Sequence, residues 1–115
     1  MNQKALDAIT VFIRRHGNQW FEQDERMSLY LRRTRHCLGG AATECIDIAN
    51  VEVREQYRQQ GVFTAYLQEI ETLAQENHLA VYVENIFHPQ LTAFLLRRGY
   101  TRITGGQDIC LYKKF

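Results

Sequence analysis

The sequence predicts one α/β domain with a mixed, mostly antiparallel sheet built around a parallel βαβ unit. Two observations carry that expectation. Apolar residues alternate with a period of two up to Val53 and with a helical period from Gly61, after which a short apolar run, Leu79–Glu84, returns to strand character. Glycine-rich links at Gly39-Gly40 and Gly105-Gly106-Gln107 mark two hairpin turns. The 115 residues suffice for one core and not for two. With one proline, no internal repeat and no low-complexity tract, no linker divides the chain, so residues 1–115 read as a single domain.

Each element follows from its own pattern. Ala5, Leu6, Ala8, Ile9, Phe12 and Ile13 recur at helical spacing before Gly17, predicting a helix over 3–16. Residues 18–26 are polar apart from Trp20 and Phe21 and read as loop. Met27 to Leu38 is a strand, and Cys45 to Val53 is the next, joined to it as an antiparallel hairpin. Strict alternation in the second strand puts Ile46, Ile48, Asn50 and Glu52 on one face and Asp47, Ala49, Val51 and Val53 on the other. From Gly61, the row Val62, Tyr66, Ile70, Ala74 with Phe63, Leu67 and Leu73 beside it predicts a helix ending near Asn77. Strand 45–53, helix 61–77 and strand 79–84 then form a right-handed βαβ unit with parallel strands. Pro89 and Gly99 frame a further helix, and Tyr100–Thr104 with Asp108–Lys113 form a terminal hairpin.

Composition narrows the function classes. The chain is 45% hydrophobic and 23% charged, with a formal net charge of +1, so no global field draws in nucleic acid or an anionic membrane. Cys37, Cys45 and Cys110 are odd in number and contain no CxxC pair, which fits reduced thiols in a cytoplasmic protein. No stretch approaches the roughly 18 apolar residues of a membrane span, and no secretory leader is visible. His16, His36, His78 and His88 lack metal-ligand spacing, so no metal site is expected. Arg32, Arg33 and Arg35 read as charges blunting a solvated edge strand, with a nucleic-acid contact as the alternative.

The stretch Val53-Arg54-Glu55-Gln56-Tyr57-Arg58-Gln59-Gln60-Gly61-Val62-Phe63 carries the sharpest chemistry. A strand ends, a polar loop follows, and an amphipathic helix begins at once. Free amides at a helix start beside a guanidinium suit a phosphate. GxGxxG and GxxxxGK[ST] are both absent, which removes the usual dinucleotide and triphosphate grips. Arg58 followed by Gly61 remains. Arg58 can hold a pyrophosphate by charge-assisted bonds while the amides of Gln59, Gln60, Gly61, Val62, Phe63 and Thr64 point at its oxygens.

Over Val51–Tyr100 the chain resembles the GNAT superfamily of N-acetyltransferases. One signature of that family is a strand ending in valine, then [Q/R]-x-x-G-x-[G/A] opening a helix; here Val53 precedes Arg58-Gln59-Gln60-Gly61-Val62-Phe63. The second is a short strand, an Asn-led helix start and a Gly-aromatic helix end. It reads Val81-Tyr82-Val83-Glu84-Asn85, His88-Pro89-Gln90-Leu91 and Arg97-Arg98-Gly99-Tyr100. Phe63 replaces the usual small residue, His88 stands where the family has its Asn, and Leu95 occupies the register of a proton-donating Tyr.

The resemblance implies a three-layer fold whose two parallel strands splay apart, and acetyl-coenzyme A as co-substrate. The acetyl group would pass to a primary amine, on a small molecule or a protein, by direct attack. It implies that the backbone of Asn50–Val53, Val51 and Val53 included, holds the pantetheine arm, with Asn85 and His88 at the second signature. Glu52 and Glu84, at the ends of the parallel strands, are the candidate general bases. Tyr66, Tyr82 and Tyr100 are phenols that could donate a proton, although tyrosines in such rows ordinarily fill a core. The alternative is a catalytically inactive module of the same fold that binds coenzyme A or a protein. An exposed sheet edge would let a second copy pair as a homodimer.

Overall fold

The computed structural model describes residues 3–15, 19–23, 26–57, 61–84, 89–103 and 109–115. Helix α1 (Gln3–Arg14) leads to strands β1 (Gln19–Gln23), β2 (Met27–Leu38) and β3 (Ala41–Val53). A 3-10 turn, Glu55–Tyr57, precedes helix α2 (Val62–Glu76), strand β4 (Ala80–Val83), helix α3 (Pro89–Arg97) and strands β5 (Thr101–Arg102) and β6 (Leu111–Lys113). The six strands form one sheet in the order β1-β2-β3-β4-β6-β5. Among the described residues only β3 and β4 are parallel, and the other pairings are antiparallel. The mixed sheet and its βαβ unit are those expected from the sequence.

Three expectations change. Residues 19–23, read as loop, pair in register with β2 from Gln19↔Arg32 to Gln23↔Ser28. Ladder hydrogen bonding to an otherwise open strand outweighs weak local alternation there. The same pairing takes β2 off the sheet edge, so its arginines are not edge charges. The hairpin turn is also tighter than expected. Gly39 and Gly40, at φ 59° and 85°, supply the two left-handed residues of a two-residue turn, and β3 therefore starts at Ala41 rather than Cys45.

The third change is in the faces of β3. Tyr30 pairs with Asn50 but Leu31 pairs with Ile48, so Ala49 is an extra residue, a β-bulge. Alternation restarts beyond it. Ile46 and Ile48 lie in the same core as Val51 and Val53, while Asn50 and Glu52 are exposed.

That core gathers Ile9 and Ile13 of α1, Tyr66, Leu67 and Ile70 of α2, Leu95 of α3, and the inward residues of the sheet such as Leu29, Leu31, Val81 and Leu111. The described helices α1, α2 and α3 thus share one core. The opposite face has a smaller cluster of Leu38, Cys45, Ala80 and Tyr82, flanked by Ile103, Cys110 and Tyr112. Among the described residues no helix contributes to that second cluster. Pro89 opens α3, and Gly99 at φ 96° ends it, as the spacing predicts. No helix among the described residues is long and apolar enough to cross a membrane.

Candidate active site

The site is built where β3 and β4 part. Their parallel ladder runs from Cys45↔Ala80 to Ile48↔Val83 and closes with the Glu84 amide donating to the Ile48 carbonyl at 3.2 Å. Past that rung β3 runs on to Val53 without β4 beside it, and the bulge at Ala49 sits at the point of parting. Among the described residues a gap therefore opens next to five residues of strand backbone. The side chains of Val51 and Val53 turn into the main core, so these residues present backbone to the gap's edge.

Helix α2 begins at the same end of β3. Its N-cap, Gly61, has φ 75° and makes no side-chain cap hydrogen bond. The first intrahelical bond of this turn runs from the Ala65 N–H to the Gly61 carbonyl, 3.0 Å. The amides of Val62, Phe63 and Thr64 precede it and have no acceptor inside the helix. A Cβ built on Gly61 would meet nothing within 4 Å, so the space in front of the helix start is open among the described residues. Phe63, where the resemblance implies a small residue, packs its ring against the main core together with Val62. The bulky side chain leaves the open side clear. Arg58, Gln59, Gln60, Asn85 and His88 lie outside the described residues.

The two candidate carboxylates have different surroundings. Glu52 is exposed and stands across from Ser28. Glu84 is held in a polar network on the second face of the sheet, where Arg32 Nη2 donates to Glu84 Oε1. The same Nη2 lies 3.8 Å from Asp47 Oδ2, and Arg32 Nε is buried without a hydrogen-bond partner among the described residues. Asp47 is fully buried and accepts from Thr34 Oγ1 at 2.5 Å. His36 Nε2 lies 3.0 and 3.1 Å from its two oxygens. The His36 ring stacks on Tyr82, centroids 3.8 Å apart and planes 9° from parallel. Burial, and then the Asp47 charge, raise the Glu84 carboxyl above the ordinary glutamate range, while Arg32 and His36 pull it down. Among the described residues no set of three His, Cys, Asp or Glu side chains is placed to hold a metal ion.

Sequence reasoning did not find Asp47, His36 or Arg32 as one group. The available signal was Asp47 itself, an acid inside Cys-Ile-Asp-Ile on a central strand, which has to find partners if buried. Neighbouring arginines are also engaged: Arg33 Nη1 donates to the Ile13 carbonyl at 3.0 Å, and Arg35 Nε to Glu44 at 2.8 Å. Of the candidate phenols, Tyr66 is buried in the main core, Tyr100 bonds Glu71, and Tyr82 alone belongs to the network beside the gap. Leu95 is fully buried.

No protein-family model matches the sequence, and no curated protein sequence does. Solved structures do match the fold. A mutant of the toxin AtaT, bound to the C-terminus of the antitoxin AtaR and acetyl-CoA, superposes with TM-score 0.59 at 10% identity, over 77% of this chain and 58% of that one. A KacTA–DNA complex gives 0.59 at 14% identity, over 94% of this chain and 79% of that one. A protein assigned as an acetyltransferase from Agrobacterium tumefaciens gives 0.60 at 18%, over 100% of this chain and 94% of that one. The match to the first of these thus spans little more than half its length. The chain has the fold of the GNAT acetyltransferases, in a compact form.

Proposed function

We propose that this chain is an N-acetyltransferase that uses acetyl-coenzyme A and a primary amine. The observation that carries the reading is the parting of β3 and β4 beside a start of α2 that is open among the described residues. A fold shared with a solved acetyl-CoA complex supports it.

The residues present fit the co-substrate. The amides of Gly61, Val62, Phe63 and Thr64, with Arg58, Gln59 and Gln60 before them, form the pyrophosphate seat, where helix-dipole and guanidinium charge favour an anion. The backbone of Val51 and Val53 pairs with the amide-bearing arm, and Asn85 and His88, which follow β4 in the sequence, are the further residues the resemblance implies. When bound, acetyl-coenzyme A supplies a thioester carbonyl open to attack by an amine. An amide of β3 past the bulge polarises the carbonyl oxygen. Glu84, rather than the solvated Glu52, takes the proton that an ammonium acceptor must lose.

The acceptor is an amine on a small molecule or a protein. The AtaT and KacTA neighbours are a toxin with its antitoxin and a DNA-bound complex. A protein partner for this chain is therefore part of the proposal, with DNA contact as a separate question for binding assays.

Thermal unfolding with and without acetyl-coenzyme A tests the seat. Binding to the native state alone stabilises by about 2.7 kcal/mol at one hundred times Kd. No shift at millimolar co-substrate would remove the reading. Release of free thiol in the presence of amines then separates turnover from binding alone.

A further inference from the structure

The helix start that would seat the carrier is on one face of the sheet, and the buried charges around Asp47 are on the other. An acyl group reaching through the gap between β3 and β4 would emerge beside those charges. They come from every strand packed there: Arg32, Thr34 and His36 from β2, Asp47 from β3, and Tyr82 and Glu84 at β4. Cys110, just before β6, adjoins Tyr82. Glu84 is the member nearest the gap, since its own amide forms the last rung before the strands separate. Arg32 reaches it from two strands away and touches Asp47 with the same nitrogen.

We propose that Arg32 and Asp47 are positioning residues for Glu84, holding its carboxylate over β3 beside the gap and setting its readiness to accept a proton from a cationic amine. The catalytic half of this inference rests on the N-acetyltransferase reading above; the electrostatic half rests on the geometry alone.

The two neighbours act in opposite senses. Arg32 orients the carboxylate through a charge-assisted bond and favours its ionised form. Asp47 cannot move away, because Thr34 and His36 bind it and burial prevents its solvation. Its charge therefore disfavours ionised Glu84. Burial and Asp47 together outweigh Arg32, which leaves Glu84 a stronger base than a solvated glutamate. In the step itself an N–H bond of the acceptor ammonium breaks, an O–H bond forms on Glu84, and the electron pair stays on nitrogen. Two carboxylates against one guanidinium leave a net negative charge while His36 is neutral. That charge selects a cationic acceptor over an anionic one.

The test uses variants whose effects have opposite signs. Asp47→Asn keeps the side-chain shape and removes a negative neighbour; Arg32→Gln removes a positive one. Carbon-13 NMR titration of the Glu84 carboxyl in the free protein reads the electrostatic half without turnover. The Glu84 midpoint is expected to fall in Asp47→Asn and to rise in Arg32→Gln. The acid limb of kcat/KM for acetylation of a diamine such as putrescine is expected to move in the same two directions. A general loss of packing would not move the two variants apart.

Midpoints that stay in place, or move together, overturn the electrostatic half. Midpoints that move as stated while the acid limb stays fixed overturn the catalytic half. If no amine in a panel is acetylated, the N-acetyltransferase reading fails, and the titration still decides whether Arg32 and Asp47 govern Glu84. Should Asp47→Asn not fold, His36→Gln at the half-exposed edge of the network replaces it. Removing the imidazole, which pulls the Glu84 carboxyl down, is expected to raise the Glu84 midpoint, and an unmoved midpoint counts against the network.

Discussion

Glu71, midway along α2, is clamped by Arg98, 27 residues later, just past the end of α3. Arg98 Nε donates to Glu71 Oε1 at 2.9 Å and Oε2 at 3.1 Å, and Nη2 donates to Oε1 at 2.5 Å. Glu71 is buried, and the pair ties the helix whose start forms the proposed phosphate seat to α3. Removing the guanidinium leaves a carboxylate stranded out of water. Arg98→Ala is therefore expected to lower stability by about 2–3 kcal/mol, below the full value of a wholly buried pair because Arg98 is partly exposed. Urea unfolding at neutral pH measures this; a loss under half a kcal/mol would show that water replaces the clamp.

Tyr100 completes the clamp and gives it a pH dependence. Its hydroxyl donates to Glu71 Oε2 at 2.8 Å. Burial first, and then the bond and charge of Glu71, push the phenol far above its usual range. The native state therefore keeps a proton that the unfolded chain loses near pH 10. The sign follows directly: this stabilisation is complete below about pH 10 and declines as pH rises beyond it. Tyr100→Phe is expected to cost about 1 kcal/mol at pH 7 and to flatten the decline in stability between pH 9 and pH 11. An equally steep alkaline decline in the variant would assign it to other groups.

Thiol chemistry tests the burial of the second face. Burial, with Asp47 next, pushes the Cys45 thiol up to about 11, while Cys37 is exposed. At pH 8 almost none of Cys45 is thiolate, and access is blocked as well. Reaction with an aromatic disulfide reagent should label Cys37 within minutes and Cys45 at least about 100-fold more slowly. Equal rates for the two in the folded protein would mean that the sheet face opens readily.

The helices and the parallel unit were legible because period and punctuation agree there. Pro89 and Gly99 bracket α3, and the row from Val62 to Ala74 fixes α2. β1 was not legible, since Gln-Trp-Phe-Glu-Gln has no alternation and exists as strand only through its partner β2. At the site, the backbone features could be read from a strand end, a glycine and a helix start. The network around Asp47 could not. It joins residues 32, 34, 36, 47, 82 and 84 across three strands, and only pairing in space puts them together.

At Gly61 the phosphate seat can be tested without disturbing the core. A Cβ there meets nothing within 4 Å, but φ 75° strains most side chains. Asn tolerates that conformation and adds no charge. Gly61→Glu adds both strain, about 1–2 kcal/mol, and a negative charge where an anion should bind. The thermal shift produced by acetyl-coenzyme A is expected to vanish in Gly61→Glu and to persist, reduced, in Gly61→Asn. A full shift in the glutamate variant would place the phosphates elsewhere.

The bulge at Ala49 makes the most demanding prediction, because it links the fold to the gap. Ile46, Ile48, Val51 and Val53 share one core only because one residue is inserted between two alternating runs. Deleting Ala49 removes the unmatched residue, so Tyr30 still faces Asn50, Leu31 still faces Ile48, and strict alternation now keeps Ile46, Ile48, Val51 and Val53 on one side and Asn50 and Glu52 on the other. The core therefore survives the deletion, and only the local bend of the backbone beside the gap is lost. The deletion variant is expected to unfold cooperatively by circular dichroism, within a few degrees of the parent, and to lose the thermal shift produced by acetyl-coenzyme A. Ala49→Ser, which keeps the insertion, should retain both the melting temperature and the shift. A full shift in the folded deletion variant would show that the bulge has no part in shaping the gap, and a deletion variant without cooperative unfolding would show that the bend is needed by the fold itself.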